Sequence, residues 1–243
     1  MLAPYPEQTI YYPESDGKPM AETDVHRDLL FKMVDLLRQA FPTAYVSGNI
    51  CLYYEQGNPK KMISPDSLLC LSQSPGEKRV YLAWEKNAQI DLVMEYSSFS
   101  TRKEDHFKKK KIYEELLKVP YYVIFDPHAV YLSVFELGPR GYQPLETNEQ
   151  GRCLMSRLPL AIAIENSNSL RLFNAQGEPI LSSAEKSLKQ VHEAMQEKEQ
   201  AVQEKKQAMQ EKEQAMQEKK QAMQEQNRLR ELLRKSGINP DLV

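Results

Sequence analysis

Glycine is scarce in this chain, 9 residues in 243, and none falls in a GxxxxGK[ST] or GxGxxG run. A glycine-rich loop that cradles phosphate with backbone N–H groups is therefore not indicated. Cysteine is scarcer still. Cys51, Cys70 and Cys153 stand far apart with no CxxC pair, so neither a disulfide framework nor a cysteine zinc site is indicated, and the thiols read as reduced in a cytoplasmic protein. No apolar run is long enough to cross a bilayer, and no membrane partner is expected. The N-terminus, MLAPYPEQTIYYPESDG, lacks the basic-then-apolar order of a secretory signal. Net charge is lacking too, at −2, so any surface for a polyanion must be a local patch. What remains is 41% apolar, enough for one sizeable domain with additional segments.

Residues 90–127, IDLVMEYSSFSTRKEDHFKKKKIYEELLKVPYYVIFDP, read as strand, turn, helix, strand. The first strand, residues 90–97, carries Asp91 and Glu95 among apolar neighbours. A carboxylate in an apolar strand is costly unless it has a partner, a proton or a metal. The helix, residues 102–118, opens with an expected capping box, Thr101 with Glu104 three residues on. On a wheel of 3.6 residues per turn its apolar stripe is Ile112, Tyr113, Leu116 and Leu117. Lys109 stands at the centre of that stripe, one turn before Tyr113, and Asp105 stands one turn before Lys109. Lys109 therefore points at the sheet, whereas Lys108, Lys110 and Lys111 point increasingly toward solvent. An inward lysine needs an acidic partner, and Glu95 is a candidate. Upstream, Ser64-Pro65-Asp66 introduces the apolar run Leu68-Leu69-Cys70-Leu71, with Asp66 at the mouth of that strand.

The ordered set of Pro65-Asp66, Glu95 with Ser97, Lys109 and Tyr113, then the FDP ending at Pro127, resembles the active site of the PD-(D/E)XK restriction-endonuclease-like superfamily. It is most similar to the Uma-type endonucleases, the Uma-two family, in the variant whose lysine has left the strand for the following helix. Ser97 holds the strand position usually given to lysine. The sequence departs from many relatives at Asn49, where they carry an acidic residue, and at Lys118, where they carry glycine. The resemblance implies an α/β fold with a mixed central sheet flanked by helices. It also implies metal-dependent hydrolysis of phosphodiester bonds, with DNA as the expected substrate. Asp66 and Glu95 are then the expected ligands of Mg2+ (or Mn2+), a hard ion that prefers oxygen and keeps several waters. Lys109 would orient the attacking water or stabilise charge growing on the phosphate. Arg102, Lys103, Lys108, Lys110 and Lys111 would hold the nucleic-acid backbone.

Other residues take supporting places. Asp105 reads as an i,i+4 partner of Lys109, and Tyr113 as core at the pocket wall. Asp91 shares the face of Glu95 but lies about 13 Å along the strand, so it suits holding backbone better than sharing a metal. Blander readings stand beside these. Asp66 can cap a turn, Glu95 and Lys109 can form a purely structural pair, Lys109 can reach past the sheet to solvent, and the lysine run can be a solvated face. His26 and His106 show no partner pattern. The alternative function is a non-catalytic nuclease-like module that binds nucleic acid or protein and is oligomerised by its tail; a third is a coiled-coil adaptor capped by the globular part.

Three regions are expected: an N-terminal arm at residues 1–19, the nuclease-like domain at 20–181, and a heptad-repeat tail at 182–243. Within the domain, residues 21–41 read as an amphipathic helix ended by Pro42, and residues 44–54 as one strand with a bulge at Gly48. Trp84 is expected to pack against the core. Gly138-Pro139-Arg140-Gly141 reads as a hairpin turn, and residues 169–173 as a last strand. A capping box of Ser182 and Glu185 starts a helix expected over about 183–235. There the repeat QAMQEKE puts Leu188, Met195, Val202, Met209, Met216 and Met223 on one heptad position, with Lys198, Lys205, Lys212 and Lys219 where the second apolar residue belongs. A parallel dimer would bring those lysines together. A weak coiled coil joining copies into a homo-oligomer and a long solvated helix are both compatible with so half-built a seam.

Overall fold

A computed structural model describes residues 10–15, 17, 23–98 and 101–237. Most of the expected N-terminal arm, residues 1–19, thus lies outside the described residues, as do residues 21 and 22 of the first expected helix. That helix, α1, runs Asp24–Ala40, with the Thr23 side chain accepting from the His26 N–H at its start. Its apolar stripe, including Leu29, Leu30, Met33 and Leu37, is buried, as a 3.6-residue period requires of a helix lying on a sheet.

The chain next forms β1 (Tyr45–Ser47), β2 (Leu52–Tyr53), β3 (Met62–Ile63), β4 (Ser67–Cys70), β5 (Tyr81–Leu82) and β6 (Leu92–Tyr96). The single strand expected over residues 44–54 is instead two strands in different sheets, β1 pairing with β4 and β2 with β3 and β5. The break has a steric cause. A Cβ at Gly48 would lie 2.7 Å from the Asp66 carbonyl and 2.9 Å from Val34 Cγ2, and Asn49 follows with φ of 52°. No side chain fits at that crossing, and it seats residue 48 against the backbone of Asp66.

After β6 come two π-helical segments, Glu104–Lys109 and Ile112–Leu116, then β7 (Tyr121–Asp126), β8 (Tyr131–Gly138) and β9 (Gly141–Pro144). The last two pair down to Gly138 opposite Gly141, leaving Pro139-Arg140 as the hairpin loop. Two features of the helical connection correct the expectation. The reciprocal cap is Ser98 with Thr101, not Thr101 with Glu104: the Thr101 N–H donates to Ser98 Oγ at 3.2 Å and the Ser98 N–H to Thr101 Oγ1 at 3.0 Å. Leu116, expected in the buried stripe, is 61% exposed, because the wider turns rotate it off the sheet while Ile112 and Tyr113 stay buried. Trp84 is half-buried against the Tyr12 ring, with centroids 5.4 Å apart, and Tyr12 lies in turn against the buried Tyr53 ring.

β10 (Cys153–Met155) and β11 (Leu160–Asn166) were not foreseen; they form an antiparallel sheet with the expected last strand, β12 (Ser169–Asn174). α2 (Ser183–Lys235) starts with a reciprocal cap in which the Glu185 N–H donates to Ser182 Oγ and the Ser182 N–H to Glu185 Oε2. The chain divides into two compact units at Glu185/Lys186. Among the described residues no helix is long and apolar enough to cross a membrane.

The main sheet has the order β1-β4-β6-β7-β8-β9. β6 and β7 are parallel, with Glu95 beside Ile124, and the other neighbours are antiparallel. This is a mixed central sheet in an α/β arrangement. Side-chain alternation along β6 sends Leu92, Met94 and Tyr96 into the core under α1, and Val93 into the core under the π-helical segments with Tyr113, Tyr122 and Ile124. Glu95 has the parity of Val93, so the strand itself aims it at that helical face.

Candidate active site

Glu95 is fully buried. Its Oε2 accepts from Lys109 Nζ at 2.6 Å and its Oε1 from the Tyr113 hydroxyl at 2.7 Å. Asp105, also buried, has Oδ1 3.1 Å from the same Nζ, while its Oδ2 accepts from Ser97 Oγ at 2.7 Å. Lys109 is thus gripped by two carboxylates, each held from behind by a hydroxyl. The row Asp105, Lys109, Tyr113 has a spacing of four, which over-rotates by about 40° per step on an α-helix. The π-helical turns, with bonds such as Leu117 N–H to Ile112 carbonyl, turn the helix more slowly and keep the row facing the sheet.

Asp66 arrives from the neighbouring strand. Ser67 pairs with Met94 in the antiparallel β4–β6 ladder, so the residue before β4 meets the end of β6. Its Oδ2 accepts from the Tyr96 N–H at 2.7 Å, and its Oδ1 lies 3.0 Å from His26 Nε2. Sequence reasoning assigned His26 nothing. A signal was available: residues 26, 30, 33 and 37 form one stripe of α1, so His26 continues the buried face one turn toward the N-terminus.

The charges do not balance. Asp66, Glu95 and Asp105 are three carboxylates around one ammonium. Burial raises the Glu95 carboxyl well above the usual carboxylate range; Lys109 pulls it back only in part, and Asp66 and Asp105 push it further up. Burial would lower the Lys109 ammonium, but Glu95, Asp105 and Asp66 together outweigh it, and its pKa rises. Counting the His26 ring against Asp66, three carboxylates face two basic groups among the described residues. Among the described residues no cluster of three or more His, Cys, Asp or Glu side chains is arranged to hold a metal. Asp66 and Glu95 stand as a pair of carboxylates where the residue before β4 meets the end of β6.

The other expected residues are placed elsewhere. Asp91 accepts from the Leu71 N–H at 2.7 Å and clamps β4 to β6 away from the lysine. Arg102, expected to hold nucleic acid, directs its guanidinium to buried Asp126, Nε lying 2.8 Å from Oδ2. Asp126 also accepts from the N–H groups of His128 and Ala129. Lys110, expected to face solvent, lies 3.7 Å over the Phe135 ring and is half-buried. Lys103, Lys108 and Lys111 are exposed, with Lys108 paired to Glu104 at 2.9 Å and Lys111 to Glu115 at 3.8 Å.

Comparison with curated proteins found no match. A family model, Uma2, described as "Putative restriction endonuclease", matches residues 3–170, well over half of the chain and all of the residues gathered around Lys109. The chain therefore belongs to the Uma2 family, and with it to proteins of the restriction-endonuclease type.

Proposed function

We propose that this chain is a divalent-metal-dependent endonuclease that hydrolyses phosphodiester bonds in DNA at the cluster of Asp66, Glu95 and Lys109. The observation that carries the proposal is the largely buried lysine shared by Glu95 and Asp105 beside a third carboxylate, Asp66. A purely structural pair would need one carboxylate, and three leave a charge excess that costs stability unless a cation or a phosphate approach uses it. Asp66 and Glu95 would hold Mg2+ or Mn2+, and the ion bound there supplies Lewis acidity to a phosphoryl oxygen and a more acidic water.

The chain's own groups do the rest. Tyr113 orients Glu95 through Oε1. Ser97 fixes Asp105, and Asp105 with Glu95 fixes the Lys109 ammonium. That ammonium, kept charged by its neighbours, stabilises negative charge growing on the phosphate. Lys103, Lys108 and Lys111 supply backbone attraction without sequence information. The test is a cleavage assay on varied DNA with Mg2+ or Mn2+, using Glu95→Ala as control. Metal-dependent cleavage lost in Glu95→Ala is expected. Cleavage that is indifferent to chelator, or that survives in Glu95→Ala, would overturn the reading. A chain that binds DNA with no cleavage under any metal would favour the non-catalytic module.

A further inference from the structure

α2 carries an exposed row with one apolar residue per heptad. Leu188, Met195, Val202, Met209, Met216 and Met223 are between 58 and 72% exposed. An alanine precedes each from Met195 onward: Ala194, Ala201, Ala208, Ala215 and Ala222. The helix has 53 residues, about 80 Å at its usual rise. A solvated helix of such length is commonly supported by opposite charges four residues apart. Here the ion pairs of that kind are Lys189 with Glu193 and Lys235 with Glu231, and across residues 194–230 no ion pair joins the described residues. The repeat is built to a period of seven and not to a period of four, which points to a partner helix.

Charge selects the partner. Three residues after each apolar residue from Met195 to Met216 stands a lysine: Lys198, Lys205, Lys212 and Lys219. The next position alternates in sign: Glu199, Lys206, Glu213, Lys220. In a parallel, in-register pair the lysines would meet one another, and the alternating position would face the alanine column, where its sign has no effect. In an antiparallel pair each methionine lies beside a lysine stem of the other copy, whose methylenes cover it while the ammonium reaches water. The alternating position then faces itself. With Glu199 of one copy opposite Lys220 of the other, Lys206 falls opposite Glu213, and the two-fold axis repeats both contacts. Sliding by one heptad sets Lys206 opposite Lys206 and Glu199 opposite Glu213, so the alternation favours one register over its neighbours.

We propose that α2 is a self-association site for a second copy of this chain, paired antiparallel in the register that joins Glu199 to Lys220 and Lys206 to Glu213. The inference is independent of the nuclease reading.

The experiment is sedimentation of the full chain and two variants. Glu199→Lys with Glu213→Lys makes the alternating position all lysine, and Lys206→Glu with Lys220→Glu makes it all glutamate. The unaltered chain is expected to sediment as two copies. Each variant should dissociate at concentrations roughly tenfold or more higher, since four attractive contacts become repulsive. An equimolar mixture of the two variants should recover the unaltered affinity, because every contact is again between opposite charges; recovery also separates lost pairing from lost helix. A monomeric unaltered chain, variants that pair as well as it does, or a mixture that fails to recover would each overturn the proposal.

Discussion

Lys32, Arg171, Glu165 and Glu185 form one charge cluster in the domain, and Lys109, Glu95, Asp105 and Asp66 form another. In the first, Arg171 donates to Glu185 through both terminal nitrogens at 2.9 and 2.8 Å and to Glu165 through Nε at 2.8 Å, while Lys32 also bonds Glu165. Two cations meet two carboxylates, and both carboxyls are driven down. Glu185 is held at about 2, chiefly by Arg171; Glu165 is lowered because Lys32 and Arg171 outweigh its burial. In the second, one ammonium and the His26 ring meet three carboxylates, and Glu95 is driven up. The balanced cluster ties the start of α2 to β12, and its pKa directions are those of groups that stabilise the fold when ionised. In the unbalanced one Lys109 is likewise raised, but Glu95 has the opposite sign, as groups at functional sites often do.

The largest expected effect is on activity. Lys109→Ala should lower the cleavage rate on the order of 10²–10³-fold or more while leaving Mn2+ affinity nearly intact, because an ammonium is not a metal ligand. Glu95→Ala should lose metal affinity and cleavage together. Cleavage kinetics and Mn2+ titration on both variants decide the matter. A Glu95→Ala chain that binds Mn2+ normally would remove Glu95 from the ligand set.

Next in size is stability. Arg171→Ala leaves Glu165 and Glu185 short of a partner and should cost roughly 2 kcal/mol, read as a lower melting temperature. Glu95→Gln removes the carboxylate whose ionisation opposes folding, so that chain should melt at or above the temperature of the unaltered one despite losing activity. If Glu95→Gln melts several degrees lower, the two clusters are alike in kind and the contrast fails.

A smaller effect follows from pH, and the signs differ between the clusters. Glu185 and Glu165 have depressed pKa values, so their stabilisation is present above the ordinary glutamate value of 4.5 and fades as pH falls through each lowered pKa, about 2 for Glu185. Glu95 is raised, so the stability its acid form contributes is present in acid and is lost as pH rises through its own elevated pKa. Melting curves across pH should therefore show the deficit of Arg171→Ala shrinking toward acid. The advantage of Glu95→Gln should grow in the other direction.

Much of this arrangement was legible in the sequence. Lys109 stands out as the inward lysine because it centres on the stripe with Tyr113, and Glu95 because a carboxylate in an apolar strand is costly without a partner. The 183–235 helix was legible from the capping pair and the heptads. Other features depended on contacts between distant residues. The break at Gly48 comes from the Asp66 carbonyl arriving 2.7 Å from where a Cβ would be, and within residues 44–54 the glycine announces a bulge but not a change of sheet. His26 was passed over because its partner is 40 residues away. Arg102 looked like part of a basic patch because Asp126, 24 residues on, reads locally as the end of a strand. The π-helical turns left no local mark either, so a 3.6-residue wheel placed Leu116 inside and Lys110 outside.

The smallest predicted effect separates neighbours on that helix. Lys111 lies two residues from Lys109, but its side chain is 71% exposed and its closest acid, Glu115, is 3.8 Å away. Removing it disturbs no buried charge, and an exposed pair of this kind contributes about 0–1 kcal/mol. Lys111→Ala should therefore fold and bind Mn2+ like the unaltered chain and cleave at the same rate once DNA is saturating. Its DNA affinity should fall by a modest factor that vanishes as salt is raised, because the lost interaction is one phosphate contact and its released counterion. Binding isotherms at several salt concentrations measure this: the slope of log affinity against log salt should flatten by about one contact. A Lys111→Ala chain as inactive as Lys109→Ala at saturating DNA would show that the chemistry depends on the whole lysine run, and the role given to the single lysine between Glu95 and Asp105 would have to be withdrawn.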